Sequence, residues 1–172
     1  MREGRNIIIT GFMGTGKTVV GQQLARQLGR EFVDMDQRIE EEQGMSITEI
    51  FDRWGEDYFR QQENKLVKEL SLKENMVIAT GGGTLLSFEN RELLGQTGKI
   101  ICLYADSEVL CERLKGKSNR PLLKDKEVRR EINRLLKERK KFYDGIELKV
   151  DTSYLEVQGV VDRIIKLLKE KE

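Results

Sequence analysis

Residues 9–25 read ITGFMGTGKTVVGQQLA, a glycine-rich turn set between an apolar run and an amphipathic one. Gly11, Gly16, Lys17 and Thr18 complete the spacing G-x-x-x-x-G-K-T, Gly14 lies inside it, and Asn6 to Thr10 ahead of it reads as a short buried strand. Glycines let such a turn aim several backbone N–H groups into one concavity, and the helix expected from about Lys17 directs its positive end at the same point. The ligand implied is a polyphosphate. Lys17 offers a mobile cation to its β- and γ-phosphates, and the Thr18 hydroxyl is a hard oxygen donor suited to Mg²⁺. A glycine turn that binds nothing is the alternative, and the strand before the motif and helix after it weigh against that.

Further short apolar runs follow, EFVDM (31–35), MVIAT (76–80), KIICLYA (99–105) and IELKV (146–150), separated by segments of helical period. This alternation predicts an α/β fold, a mainly parallel five-stranded sheet covered by helices on both faces, with ligands at the carboxyl ends of the strands. Val157, Val160, Val161, Ile164, Ile165 and Leu168 form one stripe, so the C-terminal segment is expected to be a helix docked on the sheet. Residues 36–70 hold more helix than one crossover requires, and the surplus can roof a pocket. Residues 113–126, RLKGKSNRPLLKDK, carry Arg113, Arg120 and the chain's single proline, Pro121. A basic lid over the phosphates is favoured by the glycine turn, with a solvated surface loop as the alternative.

The 172 residues fit one domain, expected to span 1–172. Thirty-one basic residues against 30 acidic ones leave no global field for nucleic acid or an anionic membrane. No apolar run is long enough to span a bilayer, and the first strand begins too early to leave room for a signal peptide. Cys102 and Cys111 lack metal-type spacing and read as reduced, buried thiols, so a cytoplasmic location is expected. Histidine is absent, which leaves acid–base chemistry to Asp, Glu, Lys or Tyr.

Several side chains stand out against that frame. Asp34 and Asp36 end the second strand two residues apart and are expected on the same side of an extended chain. One can face Mg²⁺ and the other an acceptor hydroxyl; a helix N-cap with a neighbour is the alternative. Glu63 falls on the apolar stripe of Phe59, Leu66, Val67 and Leu70, with Arg60 one turn before it. Such a pair can fix a guanidinium and leave its fork for a ligand carboxylate. Arg139 continues the apolar face of Ile132, Leu135 and Leu136, where it calls for an anion. Gly81, Gly82 and Gly83 follow the third strand directly and open the backbone to a polar ligand.

With these residues in place the chain resembles the shikimate kinase family over nearly its whole length. GFMGTGKT resembles the family's P-loop (11–18), DMD its D-x-D, GEDYFRQQE its G-E-x-x-F-R-x-x-E, GGG its glycine triplet and RPLL its lid, while ERKKFYDGI resembles the region of a second substrate arginine. The resemblance implies a P-loop kinase fold with strand order 2-3-1-4-5, like nucleoside monophosphate kinases. It implies ATP-dependent phosphorylation of the 3-hydroxyl of shikimate, in the chorismate route to aromatic amino acids. By the same resemblance ATP is bound by Gly14, Thr15, Gly16, Lys17, Thr18, Val19, Arg113 and Arg120, and one Mg²⁺ by Thr18 and, through water, Asp34. Shikimate lies between Asp36, Arg60, Glu63, Gly81, Gly82, Gly83 and Arg139, in a region of about 34–63 with the later elements, and Asp36, Lys17 and Arg120 serve catalysis. A monomer binding ATP and shikimate is expected, without nucleic acid or membrane. VDTSYLEV departs from the family's usual adenine loop, so Tyr154 either stacks on the base or begins the last helix's apolar face.

Overall fold

Consecutive isoleucines at positions 7, 8 and 9 set the centre of the molecule. Strand β1 (Asn6–Gly11) is buried along its whole length. In this computed structural model, which describes residues 4–114 and 128–170, β1 pairs in parallel with β3 (Met76–Ala79) on one side and β4 (Gly98–Tyr104) on the other. Ile8 lies level with Ile78 and Ile100. Strand β2 (Glu31–Asp34) flanks β3 and β5 (Leu148–Asp151) flanks β4, so the parallel sheet runs β2-β3-β1-β4-β5, as expected.

Successive side chains leave a strand on opposite faces, and β1 divides its isoleucines accordingly. Ile7 and Ile9 join a cluster with α1 (Lys17–Leu28) and α7 (Val157–Glu170). Ile8 joins a second with α2 (Met35–Gln43), α3 (Ile47–Leu70) and α4 (Phe88–Thr97). A third cluster fastens Phe12 and Met13, from the glycine turn itself, to Leu110 of α5 (Ser107–Leu114) and to Ile132 and Leu135 of α6 (Val128–Asp144). In α7, Val160, Val161, Ile164 and Leu168 are buried as their spacing predicts, whereas Val157 is 39% exposed and serves elsewhere.

The extra helix between β2 and β3 is α2 followed by α3. Ser46 opens α3 with a reciprocal cap: its hydroxyl accepts from Glu49 N, and the Glu49 carboxylate accepts from Ser46 N at 2.8 Å. At Gly55, with φ 79° and ψ 177°, the helical path breaks and resumes in a new direction. Cys102 and Cys111 are buried free thiols, and burial pushes the Cys102 pKa up to about 11.

Because Ile8 is fully buried at the sheet centre, Ile8→Ala is expected to destabilise the fold by about 2 to 5 kcal/mol. Urea denaturation measures this; a loss below about 1 kcal/mol would show that the site collapses around the smaller side chain.

Candidate active site

The carboxyl ends of β1, β2 and β3 open onto two adjoining sites. On the first, α1 begins at Lys17 behind Gly16, which holds φ 90° and gives no side-chain cap, and the first turn has no acidic residue. The helix's leading N–H groups and positive end are therefore left to an external anion. Lys17 Nζ donates to the carbonyls of Gly11 at 3.0 Å and Phe12 at 3.2 Å. Beside the turn, the Thr18 hydroxyl donates to Asp34 Oδ2 at 2.6 Å. A cavity of about 410 Å³ extends from Gly14–Val20 to Arg113, Thr152, Leu155 and Val157.

Arg113 stands at the far end of that cavity with its guanidinium engaged. It donates to the Gly14 carbonyl, the Thr152 hydroxyl and the Thr152 and Ser153 carbonyls, tying the phosphate turn to the end of β5. Thr152, Leu155 and Val157 are contributors that sequence reasoning missed. Tyr154 neither lines the cavity nor begins α7; it is 83% exposed and donates to Asp106 Oδ2 at 3.0 Å.

The second site is built on the three glycines after β3. A methyl group placed on Gly81 would lie 2.7 Å from Asp36 Oδ1, 2.7 Å from Glu63 Oε1 and 2.9 Å from Thr84 Oγ1. One placed on Gly83 would lie 2.9 Å from both terminal nitrogens of Arg60. A side chain at either position would force these groups to shift. Gly82 instead presents its carbonyl, which accepts from Arg139 Nη1 at 3.2 Å. Asp36, Arg60, Glu63, Gly81–Gly83 and Arg139 thus meet on one floor.

Two expectations need correction. Asp34 and Asp36 do not share an extended chain, because β2 ends at Asp34 and α2 begins at Met35. Asp34 is the N-cap: its Oδ1 accepts from Asp36 N at 3.0 Å and Gln37 N at 3.3 Å, while Oδ2 meets Thr18. Helix caps win here because a carboxylate one residue before the first turn reaches its open N–H groups. Asp36, inside that turn, points instead to Gly81.

Second, the Arg60 fork is not left open by Glu63. Glu63 accepts from Arg60 Nη1, and Glu56, four residues earlier, accepts from Arg60 Nη2 at 2.7 Å and Nε at 3.1 Å. Burial by itself lowers the Arg60 pKa, but the two carboxylates outweigh it and hold the guanidinium above its ordinary value. Glu63 is only 1% exposed and also accepts from the Thr84 hydroxyl, a partner 21 residues away that no local pattern announces. Arg139, 8% exposed, meets the Gly82 carbonyl and the Phe12 ring, whose centroid lies 5.8 Å away. Arg120 and the remainder of the basic segment, residues 115–127, lie outside the described residues.

A nucleotide-sized cavity ending at an anion-binding turn abuts a floor with an aspartate and two arginines. One chemistry uses both halves, phosphoryl transfer from a nucleotide to a small hydroxylated acid, and the fold is that of the P-loop kinases. The sequence model described as shikimate kinase matches residues 13–169. The shikimate kinase of Pelotomaculum thermopropionicum is 50% identical over 166 residues, covering 96% of each chain. That of Geobacter metallireducens is 46% identical over 93% of this chain and 89% of its own. A solved shikimate kinase from Acinetobacter baumannii, in complex with shikimate, superimposes with a TM-score of 0.93 at 36% identity, over 98% of this chain and 94% of that one. The chain belongs to the shikimate kinase family. A gluconokinase from Sinorhizobium meliloti, at 18% identity and a TM-score of 0.62, shares the fold alone.

The buried Glu63 carboxylate makes Arg60→Ala destabilising by about 2 to 4 kcal/mol, below the full value for a buried pair because the Arg60 side chain is 30% exposed. Adding Glu63→Gln removes the stranded charge and is expected to restore more than half of the loss without restoring acceptor affinity. Urea midpoints with calorimetric binding decide it; a double variant as unstable as Arg60→Ala would mean the charge was not what hurt.

Proposed function

We propose that the protein transfers the γ-phosphoryl group of ATP to the 3-hydroxyl of shikimate, giving shikimate 3-phosphate and ADP for aromatic amino acid synthesis. What supports this reading most is the convergence of Asp36, Arg60 and Arg139 on the side-chain-free floor of Gly81–Gly83. Shikimate is a carboxylic acid bearing ring hydroxyls, and it needs both a cationic clamp and a group that directs one hydroxyl.

In this mechanism Arg60 and Arg139 bind the acceptor carboxylate. Glu56 is 54% exposed on its side chain, so it can yield the Arg60 fork to the ligand and return to water at small cost. Glu63, deeply buried, remains and keeps the guanidinium in plane. Asp36 accepts a hydrogen bond from the 3-hydroxyl and takes its proton or fixes its direction. The oxygen bonds to the γ-phosphorus as the bond to the β–γ bridging oxygen breaks. Charge growing on ADP meets the N–H groups behind Gly16 and the Lys17 ammonium, which exchanges the Gly11 and Phe12 carbonyls for phosphate.

The Thr18 hydroxyl and Asp34 carboxylate are hard oxygen donors in contact and fit a Mg²⁺ ion, which keeps waters and takes one or two protein ligands. Thr18 would hold it directly and Asp34 through water; when bound, Mg²⁺ neutralises phosphate charge. Thr15, Val19 and Arg113 complete the ATP side, and Arg120 joins the transferring phosphoryl by the family resemblance. No described helix is long and apolar enough to cross a membrane. A cytoplasmic monomer with one Mg²⁺ per ATP, acting without nucleic acid, completes the proposal.

Asp36→Asn is expected to keep ATP affinity and lower kcat by roughly 10² to 10⁴. Arg139→Ala is expected to weaken shikimate binding by about 2 to 5 kcal/mol. A coupled ADP-release assay across shikimate, gluconate and nucleoside monophosphates checks the acceptor. Turnover on gluconate alone would reassign the substrate, and the absence of acceptor-dependent ADP release on all of them would reduce the chain to a nucleotide-binding module.

A further inference from the structure

Helix α6 reaches the glycine triplet twice. Arg139 and Tyr143 are one turn apart, and both donate to the same oxygen, the Gly82 carbonyl, at 3.2 Å from Arg139 Nη1 and 2.8 Å from Tyr143 Oη. A carbonyl has two lone pairs, so these two donors use it fully and fix the middle peptide of the triplet from one side. Arg139 also lies over the Phe12 ring and beside the Tyr143 hydroxyl, and the ring contact alone does not fix the rotation of its fork. Rotation is set at Gly82, and the shorter of the two bonds there is the phenol's.

The phenol takes no part in the transfer chemistry, and packing alone does not need it. The Tyr143 ring packs against the cluster that holds Phe12, Met13, Ile132 and Leu135 and meets Phe142 edge-on at 5.2 Å, contacts that a phenylalanine would keep. Burial pushes the Tyr143 pKa up to about 12, with Arg139 acting against it, so the hydroxyl keeps its proton and remains a donor under working conditions.

We propose that Tyr143 is a positioning residue for the acceptor carboxylate: its hydroxyl holds the Gly82 carbonyl where that carbonyl orients the Arg139 fork. This rests on the reading that Arg139 binds the carboxylate. The shared oxygen makes the two residues one unit, so their contributions to shikimate recognition are coupled.

Steady-state kinetics of Tyr143→Phe, Arg139→Ala and the double variant test it. Tyr143→Phe is expected to raise the KM for shikimate by about tenfold, in keeping with one lost hydrogen bond in a charged site. The KM for ATP is expected to stay within about twofold, and kcat within about threefold, because the phosphate turn and Asp36 are untouched. In the Arg139→Ala background the same change is expected to add less than about twofold. A Tyr143→Phe enzyme with wild-type shikimate KM overturns the inference while leaving the clamp intact. So does an equal KM increase in both backgrounds, or a parallel rise for ATP and shikimate with a lowered urea midpoint, the mark of a purely structural role. An Arg139→Ala enzyme with unchanged shikimate KM overturns the clamp reading, and the inference with it.

Discussion

A carboxylate almost removed from water governs the acceptor side of this molecule. Glu63 is 1% exposed, and a charge so placed is tolerated only when its oxygens are satisfied. Arg60 answers one oxygen and the Thr84 hydroxyl the other. Thr84 is held in turn, since its carbonyl accepts from Asn90 Nδ2, which also donates to Asn64 of α3. These contacts bring a carboxylate and a guanidinium hard against the backbone after β3, so that a side chain at Gly81 or Gly83 would displace them. The bare floor on which a ligand can lie is thus a consequence of burying Glu63 as much as a provision for the ligand.

The two halves of the site are also joined by apolar packing. Phe12 and Met13 are part of the phosphate turn, yet their side chains belong to the cluster with α5 and α6. Arg139 lies over the Phe12 ring while its nitrogen meets Gly82. The glycine turn and the helix bearing Arg139 are therefore positioned from one another, and the two halves of the site keep register through this packing.

Much of this was legible because its causes are local. Isoleucine runs, turn glycines and an arginine three residues before a glutamate on an apolar stripe each express themselves within a few residues, so the sheet, the phosphate turn, Arg60, Glu63 and Arg139 could be read directly. Whether Asp34 and Asp36 share one extended segment turned on whether the strand or the helix claimed residue 35, a close local competition that composition does not resolve. Glu56 was visible at i, i+4 from Arg60, but its hold on the fork depends on the helix resuming after Gly55. Thr84 against Glu63, Thr152 against Arg113 and Leu155 with Val157 in the cavity are meetings across the fold, with no periodicity to betray them.

The break at Gly55 has a further property. No atom lies within 4 Å of where a Cβ would stand, so space does not exclude a side chain there; the dihedral angles of 79° and 177° do. Those angles are strained for L-residues and relaxed for their mirror images, whose preferred extended region they occupy. Position 55 therefore discriminates by handedness alone. A chemically synthesised chain with D-alanine at that point would keep the bend and lose some of glycine's freedom in the unfolded state, whereas L-alanine, identical in volume and polarity, would turn the segment bearing Glu56 and Arg60 out of line.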